Sequence, residues 1–231
     1  MKFRNVALGI LLCVLATGAS VTVRAAAGKD EVKRVGAATV VLNEMMDARD
    51  KGIPASILEK AEAIAIFPGV KKAGFVVGGQ WGRGIISVRD ASTRQWSSPA
   101  FLTMTGGSVG FQIGASETDV ILVIMNRSGV ERLLADQFKL GGEISAAAGP
   151  VGRAGEASTD AQMHAQILSY SRSRGLFAGV TVNGAVLKED MDANTRFYEK
   201  ALSSEDIVFE RVKKAPASVG VLKAALARHS T

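Results

Sequence analysis

Cysteine occurs once in this 231-residue chain, at Cys13, and histidine twice, at His164 and His229. Cys13 falls inside an apolar N-terminal run, so the remainder of the chain carries no thiol. Disulfides, thiolate catalysis and zinc sites built on sulfur are excluded together. No second apolar run is long enough to span a bilayer, and no low-complexity linker divides the body. About 200 residues then remain for one large core, with the composition of a globular chain.

The N-terminal run itself, MKFRNVALGILLCVLATGASVTVRAAAG, has the layout of an export signal. Lys2 and Arg4 precede an apolar stretch from Val6, and small residues follow at Ala25, Ala26 and Ala27. A cleaved leader over 1–27 is expected, and with it export out of the cytoplasm to the periplasm or a membrane surface. Acylation at Cys13 is disfavoured because bulky Ile10, Leu11 and Leu12 precede it, where lipoprotein processing needs a small residue. Removing Lys2, Arg4 and Arg24 with the leader lowers the formal charge from +6 to +3. So mild a balance selects neither nucleic acid nor membrane by itself.

Residues 29–50 carry Val32, Val35, Thr39, Leu42 and Met46 at spacings of three and four, which predicts an amphipathic helix. Gly52 ends it and Pro54 opens a shorter helix. From Ala63 the period changes. AIAIF, GFVVGG, GIISVRD, SPAFLTMTGG, SVGFQIGA and DVILVIMN read as consecutive short strands separated by glycine, serine or charged turns. Residues 128–138 form a short helix with Val130, Leu133, Leu134 and Phe138 toward the core. Residues 167–188 return to strands with a hairpin signal at Asn183 and Gly184. A helix over DMDANTRFYEKA follows, and a basic helix over 211–231 closes the chain with Val221, Leu222, Ala225 and Leu226 on its apolar face. The expected class is α+β: a mainly antiparallel sheet or partly closed barrel with flanking helices at both ends, in a single domain over 28–231.

Five glycines in eleven residues, GFVVGGQWGRG at 74–84, invite a phosphate-loop reading. The GxxxxGK signature fails because Gly69 to Gly74 runs on into Phe75, and a strand follows Gly84 where a helix is required. The glycines are better read as bulges, a turn or close backbone approaches within a sheet. GGSVG at 106–110 matches a nucleophile elbow around Ser108, but strand-like residues follow it and a hairpin turn is the simpler account. Asp190, Asp192 and Asn194 have the spacing that opens a calcium loop; Thr195 and Ala201 stand where its glycine and bidentate glutamate belong. Helix capping by Asp190 or Asp192 is expected instead, a weak cation site with Glu189 being the alternative. No catalytic residue, metal site or cofactor is therefore expected.

The basic residues remain. Lys71, Lys72, Arg83, Arg172 and Arg174 sit beside glycine-rich turns or at strand ends, and period-two alternation gives Arg172 and Arg174 a common face. They are either charges guarding a sheet edge or a site for anionic lipid headgroups.

The blocks IAIFPGVKKAGFVVGGQWGRG, WSSPAFLTMTGGSVGFQIG, AAAGPVGRAGEAS and SYSRSRGLFAGVTVNGAVLKED, in that order, resemble the SYLF-domain family of lipid-binding proteins over residues 55–200. DANTRFYEK resembles the family's closing block, with Glu199 where the family often has glycine. The resemblance implies a non-catalytic domain that binds phospholipid membranes, with phosphoinositide preference in eukaryotic members and actin association in some. For an exported bacterial member it implies anionic phospholipid such as phosphatidylglycerol or cardiolipin. The helix over 29–50 is the positional counterpart of an amphipathic segment that aids membrane contact in eukaryotic relatives. An envelope adaptor that binds another protein is the alternative, and a hydrolase acting through Ser108 the third.

Overall fold

The computed structural model describes residues 28–48, 52–135, 137–142, 145–152, 165–173, 175–180, 182, 184–209, 212 and 215–230, with backbone only at 74–77, 108–115 and 137. The expected leader with Cys13, together with Arg174, His164, Asn183, Arg211, Lys213 and Lys214, lies outside them.

Helices α1 (Lys29–Met46) and α2 (Ala55–Lys60) lead into two long strands, β1 (Ala63–Val88) and β2 (Ala100–Ile124). Helix α3 (Arg127–Leu134) follows, then β3 (Gln137–Lys139), β4 (Ala146–Ala148), β5 (Ile167–Ser173), β6 (Leu176–Gly179) and β7 (Val186–Glu189). Helices α4 (Met191–Tyr198), α5 (Ser204–Phe209) and α6 (Ala217–His229) complete the chain. The sheet has seven strands in the order β3-β7-β2-β5-β4, with β1 on β2 and β6 on β5. It is strongly curled into a half-barrel with helices at both ends, and among the described strands only the β4–β5 pair is parallel. The expected class holds. Among the described residues no helix is long and apolar enough to cross a membrane.

The six short strands expected between Ala63 and Asn126 are instead two long ones. β1 and β2 pair antiparallel from Ala63 with Ile124 to Ile86 with Ala100. The glycines read as turns at Gly78–Gly79 and Gly106–Gly107 lie inside the ladder, paired Gly78 to Ser108 and Gly79 to Gly107. Glycine costs a strand some stability but still makes ladder hydrogen bonds, and it permits the bending that a curled ribbon needs. Register shifts between Phe67 and Val70 and between Gly74 and Val76 mark the irregularities.

Both faces of this sheet are covered, which explains why AIAIF and DVILVIM run apolar without alternation. Ile64, Ile66, Ile85, Phe101, Ile121, Val123, Leu168 and Tyr170 face α1, α2, α4 and α6. Ala63, Ala65, Phe67, Val70, Leu102, Met104, Leu122 and Ile124 face the inside of the curl, closed by α3, α5, Phe138 and Leu187. Each fully buried Leu, Ile or Phe contributes about 2–3 kcal/mol of transfer free energy. Helix α1 buries Val35, Ala38, Thr39, Val41, Leu42 and Met45, whereas Val32 is 38% and Val40 54% exposed. In α6 the buried stripe is Val219, Leu222, Ala225 and Leu226, and Val221 points outward at 62% exposure. Phe138 is buried as expected but belongs to β3 and not to the helix before it. Gly184 does turn, at φ +82°, yet β6 and β7 pair with other strands because β7 is held by β2 and β3. The tight hairpin forms at Gly175, φ +77°, where Ser173 pairs with Leu176.

Candidate functional site

The site starts from two glycines. A Cβ on Gly82 would come within 2.8 Å of Val70 Cγ2, and one on Gly84 would overlap the Ile66 carbonyl and the Phe67 ring. Farther along, the Arg89 amide donates to the Glu62 carbonyl at 2.7 Å. The first and last thirds of β1 thus pack against each other, and only residues without a Cβ fit at the crossing. That brings the chain around Val70 beside the chain around Gly82. Lys71 follows Val70, and Trp81 and Arg83 flank Gly82.

Strand alternation sorts these neighbours. Val70, Gly82 and Gly84 share the inner face, since Gly82 and Gly84 pair with Met104 and Leu102 of the inner core. Trp81, Arg83 and Ile85 pair with Thr105, Thr103 and Phe101, and Lys71 pairs with Glu117, which puts all four on the other face. Lys71 and Arg83 are exposed, and Trp81 is 44% exposed. The Arg83 guanidinium carbon lies 5.1 Å from the centre of the Trp81 ring, within cation–π range. Lys72, half-buried, pairs with Ser116 and belongs to the opposite face.

Arg172 also lies on the face of Lys71, but its charge is matched. Its Nε and Nη2 donate to Asp119 Oδ2 at 3.0 and 2.7 Å, and Nη1 to Glu44 of α1. The second Asp119 oxygen accepts the Gly69 amide at 2.9 Å, where the chain takes φ +60° at the irregularity after Phe67. Asp119 therefore fixes both the bulge and the arginine. A groove of about 690 Å³, with Val40, Val41 and Glu117 on its walls, opens beside this pair. Of the five basic residues singled out in the sequence, Lys71, Arg83 and Arg172 share a face, Lys72 does not, and Arg174 lies outside the described residues.

The carboxylates of DMDAN serve the fold. Asp190 caps α4 by accepting the Ala193 amide at 3.1 Å, and its other oxygen meets Arg34 Nη1 at 3.1 Å. Asp192 and Asn194 are already helical, so the calcium-loop geometry does not form there. Glu189 accepts from Asn194 Nδ2 at 3.1 Å and from the Ser204 amide. Asn194, fully buried, also accepts the Phe101 amide at 2.9 Å and so ties α4 to β2. Among the described residues no group of three His, Cys, Asp or Glu side chains is placed to hold a metal. Ser108 lies within β2, paired with Gly78, and not on the strand-to-helix turn of a nucleophile elbow. His229 meets Asn43 Oδ1 at 3.2 Å, and burial, then the charge of Arg228, lowers its pKa, with Asp47 opposing.

Trp81 was missed by the sequence reading, and Asn194 was considered there only for calcium-loop spacing and not as the buried tie between α4 and β2. The signal for Trp81 was its i, i+2 relation to Arg83, which in a strand means one shared face. For Asn194 it was a helix-disfavoured amide on the apolar side of an amphipathic helix.

Residues 105–229 match the family model Ysc84, described as Las17-binding protein actin regulator. The chain is 36% identical over 177 residues to Protein YSC84 of Saccharomyces cerevisiae, covering 75% of this chain and 37% of that protein. It is 34% identical over 195 residues to LAS seventeen-binding protein 3 of the same organism, covering 82% and 42%. With the human SH3 domain-containing YSC84-like protein 1 the identity is 36% over 161 residues, covering 69% and 46%. The chain thus spans less than half the length of these relatives.

Proposed function

The chain belongs to the Ysc84 family of SYLF-domain proteins, and on that premise we propose that it is a non-catalytic module that binds anionic phospholipid surfaces. The observation that carries this reading is the exposed Arg83 stacked on the indole of Trp81, with exposed Lys71 on the same side of the sheet. A lysine or arginine near an anionic membrane contributes about 1 kcal/mol each. An indole with one apolar and one polar edge suits the headgroup level of a bilayer. The leader-like N-terminus supports an exported protein that works at the periplasmic side of a cell envelope, with phosphatidylglycerol or cardiolipin as ligand. Sedimentation with phosphatidylglycerol and with phosphatidylcholine vesicles, at low and high salt, tests the reading: binding to the anionic vesicles alone, weakened by salt, is expected, and equal failure on both refutes it.

A second reading is favoured by the family model's description and by the name of one relative, both of which refer to binding of Las17. In it the chain is an adaptor for a protein partner. Crosslinking that captures a stable partner, with no vesicle binding, selects this reading.

A further inference from the structure

Past the C-terminal end of β1, a cavity of about 720 Å³ opens between the β1–β2 loop, the end of α2 and one flank of α6. Its wall includes Glu59, Arg89, Arg94, Trp96 and Lys223. Arg89 is only 3% exposed. Its Nη1 and Nη2 donate to the Glu59 and Leu58 carbonyls at 2.6 and 3.3 Å, and its guanidinium stacks on Trp96 at 4.5 Å. Its Nε, fully buried, has no partner among the described residues. Arg94 is held at φ +56°, a conformation rare outside glycine, with Nη1 on Glu62 at 3.0 Å and Nη2 on the Glu59 carbonyl at 3.0 Å. Lys223, half-buried on α6, joins none of the ion pairs among the described residues.

Three cations therefore line one space with a single carboxylate, Glu59, on its wall; Glu62, paired with Arg94, is not part of that wall. Burial, then the charge of Arg94, lowers the Arg89 pKa, with Glu62 and Glu59 opposing. The rest of the wall is mixed: the Trp96 ring and the methyls of Ala224 and Ala227 are apolar, and Thr93, Gln95 and Ser230 add neutral polar groups. The volume lies in the range of small-molecule sites.

We infer that this cavity binds a small phosphate-bearing molecule, its anionic group between Arg94 and Lys223 and its carbon framework on Trp96, Ala224 and Ala227. A phosphate presents several strong acceptors to separate cations, which suits an arginine and a lysine arriving from different elements. The membrane-binding face uses Lys71, Trp81 and Arg83, so this inference stands apart from it.

Trp81 and Trp96 are the two tryptophans of the chain, so a Trp81→Phe background leaves Trp96 as sole fluorescent reporter. Glycerol 3-phosphate, inorganic phosphate and phosphatidylglycerol vesicles are titrated separately, against sodium chloride at matched ionic strength. A saturable change in Trp96 emission is expected, weakened about tenfold by Lys223→Gln, which breaks no ion pair among the described residues, and further by Arg94→Gln with Lys223→Gln. Response to the soluble phosphates identifies a free ligand; response to vesicles alone identifies a lipid headgroup, and either supports a phosphate site when Lys223→Gln weakens it. No saturable response to any of the three, an equal response to chloride, or an undiminished response in Lys223→Gln overturns it.

Discussion

Gly82 lies against Val70 so closely that a Cβ would fall 2.8 Å from Val70 Cγ2. This contact closes β1 on itself and makes neighbours of the segments that carry Lys71, Trp81 and Arg83. Gly82 and Gly84 therefore act by absence of bulk: they let the two ends of β1 pack inner face to inner face, which leaves Trp81 and Arg83 turned outward.

Gly82→Val should destabilise the fold by about 1–3 kcal/mol, the usual cost of overpacking a filled core. Gly84→Ala should cost at least as much, because the atoms it meets include the Ile66 backbone, which cannot rotate away. Gly79→Ala, with nothing within 4 Å of its added carbon, should be far milder. Urea denaturation of the three variants checks the order.

Glu199 closes α4 in the left-handed conformation, φ 55° and ψ 24°. The SYLF-family pattern often has glycine there, and the geometry supplies the reason, since a side chain at positive φ is strained. Glu199→Gly should raise stability by about 1 kcal/mol, read as a higher denaturation midpoint with unchanged slope.

Asp119→Ala should cost about 2 kcal/mol, because it leaves Glu44 as the only carboxylate on Arg172 among the described residues and releases the Gly69 amide. Glu44→Gln, at an exposed carboxylate, should stay within about 1 kcal/mol. Since Arg172 is matched by carboxylates, Arg172→Gln should leave vesicle affinity within about twofold of the parent, whereas Arg83→Gln should lower it about fivefold. Equal losses from the two variants would assign Arg172 to the lipid surface.

His229 has a folded pKa below its ordinary value of 6.5. The unfolded chain then binds more protons, so this residue adds stability that is present above about pH 6.5 and is lost as pH falls through that value. The urea midpoint should decline from pH 7 to pH 5, and less steeply in His229→Gln. Identical declines in parent and variant would show that other groups set the trend.

The sequence disclosed the class of the fold because the helices keep their period and the strands their composition. α1 was legible from Val35, Thr39 and Leu42, and the capping role of Asp190 from its place before α4. Strand length was not legible: Gly78, Gly79, Gly106 and Gly107 look like turns to any local rule, and only the long-range ladder between β1 and β2 keeps them extended. For the same reason Lys71 and Lys72, adjacent in sequence, look like one basic pair and are separated by the sheet. The match of Arg172 to Asp119 and Glu44 spans 53 and 128 residues, distances at which no spacing motif operates. Helix faces failed where packing, not period, decides, as at Val221.

The measurement that bears most directly on the proposed function is vesicle partitioning of the parent and of Lys71→Gln with Arg83→Gln, on phosphatidylglycerol and phosphatidylcholine at two salt concentrations. The account predicts binding to the anionic vesicles alone, reduced by salt and lowered about 30-fold by the paired substitution. Unchanged partitioning of the double variant, or equal affinity for both lipids, would contradict it.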